Sequence, residues 1–322
     1  MIAINLKTEH MENPLGIDVG NPMLSWVCSG GVKQTAYQII AKCGGKVVWN
    51  TGKVTSSRMT HIPYEGEPLH SRERVCWSVK LWDENGEGGE ISTGYFEMGL
   101  LDAKDWRAKW ITGDYKVDKK ERYPADCFRK SFSAENVVSA RLYVTACGLY
   151  EGCLNGKRIG SFVLAPGYTD YNKRIQYQVY DVTELLHDDM NDLTFMLADG
   201  WYRGSVGAWG LRNAYGAEAK LLAQLELTHK DGKVTRICSN KTWDWSNDGP
   251  VRFADNKDGE VYNANSVPTY KGKAKETSCK IVPTASNNVP ITEHETFKPT
   301  LITTPSGKTV LDFRQNIAGY IA

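Results

Sequence analysis

Hydrophobic and polar residues alternate along most of the chain, as they do in β-strands that bury one face. The clearest alternation covers residues 141–146, where Leu142, Val144 and Ala146 are the apolar positions. Residues 174–180 alternate in the same way. The chain contains no succession of long amphipathic helices, so the pattern predicts an all-β protein.

Turn signals separate the alternating segments. Asn155 and Gly156 form an Asn-Gly pair, which tolerates the positive φ angles of a type I′ hairpin turn. Residues 44–45 and 85–86 carry Gly-Gly and Asn-Gly pairs at the ends of strand-like runs, and residues 230–233 read as a further hairpin. Closely spaced strands joined by tight turns predict tandem β-sandwiches.

We expect two complete β-sandwich domains. Residues 1–106 have the strand spacing of a fibronectin type III or immunoglobulin-like sandwich. Residues 107–268 contain eight or more predicted antiparallel strands with long loops, as in a jelly-roll domain of the kind that many carbohydrate-binding modules share. Within the second domain, residues 114–126 are charged and contain proline, which predicts an exposed connection.

The last part of the chain predicts a linker followed by more β structure. Residues 269–296 are rich in Lys, Thr, Ser, Asn and Pro, and we interpret them as a linker. Residues 297–322 resemble the beginning of a third β-sandwich. Because the sequence stops at Ala322 inside an apparent strand, we expect the chain to be part of a longer protein.

Composition excludes some partners and favours one surface chemistry. The 322 residues carry 39 basic and 38 acidic side chains, for a net charge of +1, so no overall field attracts nucleic acid or an anionic membrane. Aromatic residues make up 11% of the chain, with ten Trp and sixteen Tyr. Most of these should pack in the core, but exposed Trp and Tyr also suit a sugar-binding surface.

The cysteine pattern bears on the compartment. None of the eight cysteines forms a Cys-x-x-Cys pair, and no histidine is spaced to complete a zinc site. We therefore expect free thiols. Together with an N-terminus that has no apolar signal region and the lack of any transmembrane-length apolar run, they favour a bacterial cytoplasmic protein.

Several sequence words in order resemble one family. LNGKRIG, LAPGYTDYNKRIQYQVYDVT, ADGWYRG and DGEVYNA resemble the N-terminal accessory domain of bacterial α-L-rhamnosidases, glycoside hydrolase family 78. The earlier words ENPLGIDVGNPMLSW and RVCWSVKLWDENG resemble the opening domain of the same enzymes, and TVLDFRQNIAGYIA resembles the start of their next domain.

The resemblance implies that the parent protein hydrolyses terminal α-L-rhamnosyl groups with inversion. Such enzymes use one carboxylic acid to protonate the leaving oxygen and a second carboxylate to activate water. In this family the two carboxylates lie on an (α/α)₆ barrel downstream of the β domains, and this sequence has no run of helices to form one. We therefore assign no catalytic residue, expect the chain alone to be inactive, and expect the missing catalytic domain to be its partner.

Two loops have the chemistry of carbohydrate binding. Aromatic rings stack on the C–H faces of sugars, while Arg, Asn and Asp side chains hydrogen-bond to hydroxyl pairs. The alternative is that these loops are structural and pack against a neighbouring domain. The candidate residues are Tyr168, Asp170, Tyr171, Asn172, Asp199, Trp201, Tyr202 and Arg203.

A third loop raises the question of a metal. Some accessory domains of the resembled family hold calcium against the sugar hydroxyls, and Asp255, Asp258 and Glu260 lie in an oxygen-rich segment here. The segment does not fit an EF-hand, and Asn263 stands where the family commonly has an acid. Calcium at these three residues is the one cofactor considered.

Two other functions remain open from the sequence. The chain could be an autonomous carbohydrate-binding module, or an interaction or adhesive β-protein with no glycosidase parent. Either would have the same alternation and turns.

Overall fold

Strands dominate the structure, a computed structural model that describes residues 1–320. The single α-helix among these residues is the four-residue α1 (Gly200–Arg203), and two 3₁₀ turns cover Ala103–Asp105 and Thr183–Leu185. Within the described residues no helix is both long and apolar enough to span a lipid bilayer. The all-β prediction is confirmed.

The first domain is a β-sandwich with a tightly packed aromatic core. A three-stranded sheet has the order β1-β3-β7, and the facing sheet has the order β2-β9-β8-β4-β5, with β6 also paired to β4. Trp26, Tyr64 and Trp77 are almost completely buried in the core. The strands are β1 (Ile2–Thr8), β2 (Leu15–Ile17), β3 (Met23–Ser29), β4 (Ala36–Cys43), β5 (Lys46–Asn50), β6 (Val54–Thr55), β7 (Ile62–Pro63), β8 (Arg74–Trp82) and β9 (Gly88–Met98).

The second domain is a larger β-sandwich. Its strands are β10 (Trp110–Thr112), β11 (Asp126–Ser133), β12 (Val137–Cys147), β13 (Leu149–Leu154), β14 (Lys157–Arg158), β15 (Gln176–Asp181), β16 (Met190–Ala198), β17 (Lys220–His229), β18 (Val234–Cys238), β19 (Asp244–Ser246), β20 (Val251–Asp255), β21 (Gly259–Tyr262), β22 (Gly272–Lys273), β23 (Lys275–Thr277) and β24 (Thr284–Ala285). One sheet has the order β23-β10-β17-β12-β15-β24, with β18 also paired to β17. The other has the order β14-β13-β16-β11-β19-β22, and β20 and β21 form a separate hairpin. The jelly-roll assignment itself stays a prediction.

Predicted turns appear where the sequence places them. Asn155 and Gly156 have φ angles of +53° and +75° and join β13 to β14, with Leu154 opposite Lys157. Gly44 and Gly45 likewise have positive φ and connect β4 to β5. These backbone angles are the reason that Gly and Asn occupy the turns.

The segment predicted as a linker, residues 269–296, instead contributes strands to the second domain. β22, β23 and β24 lie in this segment, and each is the outermost strand of its sheet. An edge strand of two or three residues is held by main-chain hydrogen bonds to one neighbour. It needs no hydrophobic alternation, so its polar composition gave no strand signal.

The first two domains pack against each other within one compact unit. Tyr143 and Tyr177 from the second domain form a buried cluster with Leu100 at the end of the first, and the Leu100 amide donates to the Tyr177 hydroxyl at 2.7 Å. Gly16, with φ of +77°, lies so close to Val179 that a Cβ atom there would come within 2.1 Å of a Val179 methyl carbon. Only glycine therefore permits this approach.

Two forked ion pairs cross the same interface. Arg72 of the first domain donates to both carboxylate oxygens of Glu226, at 2.6 and 2.9 Å. Arg141 of the second domain donates to both oxygens of Glu97, at 2.8 and 3.0 Å. Bidentate pairs of this kind fix orientation as well as distance, so they hold the two domains in register.

A second compact unit comprises residues 161–163 and the chain from residue 290 onward. Within it, β25 (Thr300–Thr303) and β26 (Thr309–Asp312) form an antiparallel hairpin. Strands therefore lie where the sequence predicts the third β unit to begin, while the sandwich itself stays a prediction. Residues 321–322 lie outside the described part of the chain.

Candidate functional site

The loop after β16 contains a buried ion pair. Arg203 Nε donates to Asp199 Oδ1 at 2.7 Å, and Arg203 Nη2 lies 2.6 Å from the same oxygen. Both side chains are only 2% exposed. Burial raises the pKa of Asp199, although the Arg203 charge opposes that shift. The sequence prediction that Asp199 and Arg203 contact a sugar is therefore wrong for this structure, because both are sealed inside the domain.

The ion pair continues into a network that the sequence did not reveal. Arg203 Nη1 donates to the Tyr115 hydroxyl at 2.7 Å, and that hydroxyl donates to Asp126 Oδ2 at 3.2 Å. Trp245 Nε1 donates to Asp126 Oδ1 at 2.9 Å. Burial raises the pKa of Asp126 to about 6. The network joins the loop after β16 to both β11 and β19 of the underlying sheet.

Residues 114–126, predicted to be an exposed connection, supply part of this network. Asp126 is completely buried, and the Tyr115 ring stacks on Trp245 with ring centroids 5.9 Å apart. Most of the segment is exposed as predicted, including residues 118–122, whereas Asp126 at its end is buried and accepts from Tyr115 and Trp245. Two tyrosines in an otherwise charged segment, Tyr115 and Tyr123, were the only available signal of burial.

Two of the predicted aromatic residues are also interior. Tyr171 is 4% exposed and Tyr202 is 9% exposed, and their rings meet edge to face with centroids 5.5 Å apart. The Tyr171 hydroxyl donates to the Gly167 carbonyl at 2.9 Å. At these exposures neither ring is open to a sugar, and the prediction that these two rings bind carbohydrate is not supported.

Asp170 and Asn172 are on the surface in a tight turn. Asp170 Oδ1 accepts from the Asn172 amide at 3.1 Å, and Asp170 Oδ2 lies 3.5 Å from Lys173 Nζ. Both predicted residues are exposed, but neither lines the cleft described below. Their contact with a carbohydrate stays a prediction.

The residues considered for calcium already have hydrogen-bond partners. Asp255 is 6% exposed; its Oδ2 accepts from the Ser205 amide at 2.7 Å, and its Oδ1 accepts from the amides of Lys257 and Asp258 at 2.8 and 3.1 Å. A carboxylate that caps three amides in this way organises its own loop. The geometry makes Asp255 a structural anchor for the β20–β21 turn.

Asp258 and Glu260 do not complete a metal site with it. Asp258 Oδ2 accepts from Ser205 Oγ at 2.6 Å and pairs with Arg122, whose charge is the wrong sign beside a cation. Glu260 is exposed on β21. Across residues 1–320, no three His, Cys, Asp or Glu side chains are grouped so that they could hold a metal ion. These residues do not fit calcium.

An open cleft of about 330 Å³ lies between the two loops that the sequence singled out. Tyr168 and Trp201 form an aromatic wall, with ring centroids 5.6 Å apart and planes inclined by 53°. Tyr168 is 52% exposed, and its hydroxyl lies 2.9 Å from that of Tyr215. The cleft is lined by Tyr168, Trp201, Ser205, Val206, Gly207, Asn256 and Lys257.

The cleft therefore contains some of the predicted site residues together with residues that were not predicted to bind sugar. Tyr168 and Trp201 were predicted from residue type, whereas Asn256 and Lys257 come from the loop considered for calcium and bring an amide and an ammonium group instead. The exposed Tyr168 ring and the partly buried Trp201 ring, beside polar donors, can stack on a sugar and hydrogen-bond to its hydroxyls.

Comparison with known families matches both domains. A family model described as the α-L-rhamnosidase N-terminal domain matches residues 135–302. A second, described as the Rha78A-like N-terminal immunoglobulin domain, matches residues 3–102.

Similar proteins named as α-L-rhamnosidases align with nearly the whole of this chain. An α-L-rhamnosidase of Formosa agariphila is 34% identical across 96% of this chain and 35% of its own length. An α-L-rhamnosidase of an Alteromonas species is also 34% identical, across 97% of this chain and 37% of its own length. The chain thus spans little more than a third of these relatives.

Solved structures of similar proteins share this fold. The α-L-rhamnosidase of Aspergillus terreus superposes with a TM-score of 0.91 at 33% identity, covering 98% of this chain and 39% of that one. The Streptomyces avermitilis α-L-rhamnosidase, solved with L-rhamnose, gives 0.88 at 25% identity, covering 98% and 49%. The chain belongs to the α-L-rhamnosidase family and corresponds to its N-terminal β domains.

Proposed function

We propose that this chain is the non-catalytic N-terminal part of an α-L-rhamnosidase that removes terminal α-L-rhamnosyl groups from glycosides with inversion. The observation that carries the proposal is the match of both domains to N-terminal domains of such enzymes, over little more than a third of their length. This family match speaks against an adhesive β-protein without a glycosidase parent.

The role of these domains in the parent is to support the catalytic domain. The forked Arg72–Glu226 and Arg141–Glu97 pairs and the Tyr143–Tyr177 cluster give two sandwiches a fixed mutual orientation. A rigid platform of this kind suits a scaffold that positions a neighbouring domain. We also propose a bacterial cytoplasmic location, which is supported by the eight cysteines being free thiols.

The 322-residue chain alone is expected not to cleave glycosides. Among residues 1–320 the helical elements are α1 and two 3₁₀ turns, so nothing there resembles a helical barrel that could hold the two carboxylates of an inverting glycosidase. Release of p-nitrophenol from p-nitrophenyl α-L-rhamnoside should equal the rate in buffer. Turnover that rises with protein concentration and survives repurification would contradict the proposal.

We further propose that the cleft between Tyr168 and Trp201 binds the rhamnosyl end of a glycoside. The support is the exposed Tyr168 ring and the partly buried Trp201 ring beside the polar side chains of Asn256 and Lys257 at the same opening. The same chemistry fits an autonomous carbohydrate-binding module. Titration with L-rhamnose tests sugar binding in both cases.

Replacing Trp201 by alanine is expected to weaken L-rhamnose binding about tenfold or more, because it removes one of the two stacking surfaces. Isothermal titration with L-rhamnose measures the effect. Tyr262, an aromatic residue that is 61% exposed and does not line the cleft, provides the control. The variant Tyr262→Ala should bind as the unmodified chain does.

The same titration tests the calcium hypothesis. Because the carboxylates of Asp255 and Asp258 are occupied by amide, hydroxyl and guanidinium partners, EDTA should leave the affinity unchanged. A loss of L-rhamnose binding in EDTA would support the calcium hypothesis. If Trp201→Ala binds L-rhamnose with unchanged affinity, the sugar does not bind in the cleft.

A further inference from the structure

A short hairpin beside the cleft presents a fully open tryptophan. Val206 and Leu211 exchange two main-chain hydrogen bonds of 3.0 and 3.2 Å, which closes a four-residue tip. Gly207 and Gly210, both with positive φ, bracket that tip. Trp209 at the tip is 87% exposed, the most open tryptophan side chain among the large hydrophobic residues of the described chain.

The base of this hairpin is fixed on one side by the β20–β21 turn. The Ser205 amide donates to Asp255 Oδ2 at 2.7 Å, and Ser205 Oγ donates to Asp258 Oδ2 at 2.6 Å. The Lys257 ammonium group also donates to the Gly207 carbonyl. These bonds tie the first strand of the hairpin to a buried carboxylate.

The other side of the base is held by the segment before β11. Arg212 Nη2 donates to the Glu121 carbonyl at 3.2 Å, and Asn213 Nδ2 donates to the Lys119 carbonyl at 3.1 Å. The Asn213 main-chain amide donates to the carbonyl of Arg203, a member of the buried ion pair, at 3.0 Å. The exposure of Trp209 is thus a property of an anchored hairpin and does not come from a loose loop.

The hairpin is also a wall of the cleft. Val206 and Gly207 line the opening together with Tyr168. Trp209 lies two residues beyond Gly207, which is at most about 7 Å along an extended backbone. Trp209 is therefore next to the cleft and outside it, at a distance that the adjoining unit of a bound oligosaccharide could bridge.

We propose that Trp209 is a second carbohydrate contact, which stacks on the sugar ring adjoining the one held between Tyr168 and Trp201. This inference rests on the proposed sugar binding in the cleft and extends its ligand from a single rhamnose to a rhamnose-containing oligosaccharide. Small neighbours favour it: Gly207, Ala208 and Gly210 leave the indole faces uncovered, as stacking on a sugar requires.

A protein-docking role fits the hairpin less well. The residues that dominate a protein interface sit at the centre of a well-packed patch whose rim excludes water. Trp209 is instead a single large ring on a narrow tip, and the surface beside it carries the ammonium group of Lys257 and the amide of Asn256. A polar surface with one projecting ring matches a hydrated sugar chain.

The test compares L-rhamnose with a rhamnose-containing disaccharide by isothermal titration of the 322-residue chain. We expect the disaccharide to bind about tenfold tighter than L-rhamnose. The variant Trp209→Ala should lose that gain and keep the unmodified affinity for L-rhamnose. Trp209→Tyr, which retains a stacking ring, should keep most of the gain, and circular dichroism should show that all variants fold alike.

The outcomes separate this inference from the proposal on which it rests. If the unmodified chain binds L-rhamnose but gains nothing from the second sugar, or if Trp209→Ala keeps the gain, the second contact is refuted while the cleft stands. If neither sugar binds, both fall. Self-association in sedimentation velocity that Trp209→Ala abolishes would assign the ring to a second copy of the chain and also overturn the inference.

Discussion

Replacing Arg203 by methionine is expected to lower the free energy of unfolding by about 3–5 kcal/mol, the usual cost of breaking a buried ion pair by removing one partner. The change leaves Asp199 buried at 2% exposure, with the Arg212 guanidinium 3.7 Å away as its remaining cation. It also removes the donor to Tyr115 and the charge that favours ionised Asp126. Urea unfolding followed by tryptophan fluorescence measures the loss.

A matched surface pair provides the control. Lys173 and Asp170 are 3.5 Å apart with side-chain exposures of 81% and 45%, so Lys173→Met should cost less than about 1 kcal/mol. The double variant Asp199→Leu, Arg203→Met should be more stable than Arg203→Met, because no unpaired carboxylate remains at position 199. A cost for Arg203→Met no greater than that of the control would show that the network does not hold the loop.

The second large effect is expected at the interface between the two sandwiches. Glu226 is 5% exposed and accepts from Arg72 of the first domain, from Arg236 and from Gln224. Glu226→Ala leaves Arg236 without its carboxylate and Arg72 with Asp105 alone, and we expect a loss of about 2–3 kcal/mol. Because the Arg72–Glu226 pair is one of the two forked ion pairs that cross the interface, the unfolding transition should broaden or split in calorimetry.

The effect of this variant should depend on pH in a defined direction. Burial raises the pKa of Glu226, but the hydrogen bonds and charges of Arg72 and Arg236 outweigh it and hold the pKa below its ordinary value. The stabilisation is therefore complete above the unfolded pKa of about 4.3 and is lost as the pH falls through the lower folded pKa. The difference between the unmodified chain and Glu226→Ala should shrink in that acidic window.

Glu67 gives the corresponding control. Its pair with Lys46 is solvent-exposed on both sides, at 53% and 68%, so Glu67→Ala should change stability by less than about 1 kcal/mol and leave one transition. If Glu226→Ala behaves like Glu67→Ala, the Arg72–Glu226 pair does not hold the interface, which then depends on the Arg141–Glu97 pair and the apolar cluster.

The candidate site shows where residue types inform and where they mislead. Tyr168 and Trp201 line the cleft, with Tyr168 exposed and Trp201 partly buried, and their binding of carbohydrate stays a prediction. Asp199 and Arg203 have equally suitable chemistry for a sugar, yet they are spaced i, i+4 across one helical turn and satisfy each other in the interior. This spacing is compatible with exposed side chains that contact a sugar and with a buried ion pair, and only the burial of the two side chains distinguishes the two.

The sequence alone determined the class of the fold, its turns and its family. Alternation with period two and Asn-Gly or Gly-Gly pairs are local properties of the backbone, so β8, β12 and the turn at Asn155 could be predicted before any contact was known. The sequence motifs that resemble α-L-rhamnosidases are likewise read directly from the order of residues.

Tertiary structure decided which surfaces remain open. Tyr143 lies on the polar side of the alternation in β12 but is buried, because Leu100 at the end of the first domain and Tyr177 pack against it. The polar strands β22, β23 and β24 acquire their structure only from the sheet edges to which they bind. Burial depends on neighbours that are distant in sequence, and for that reason the cleft and the Trp209 hairpin could be located only in three dimensions.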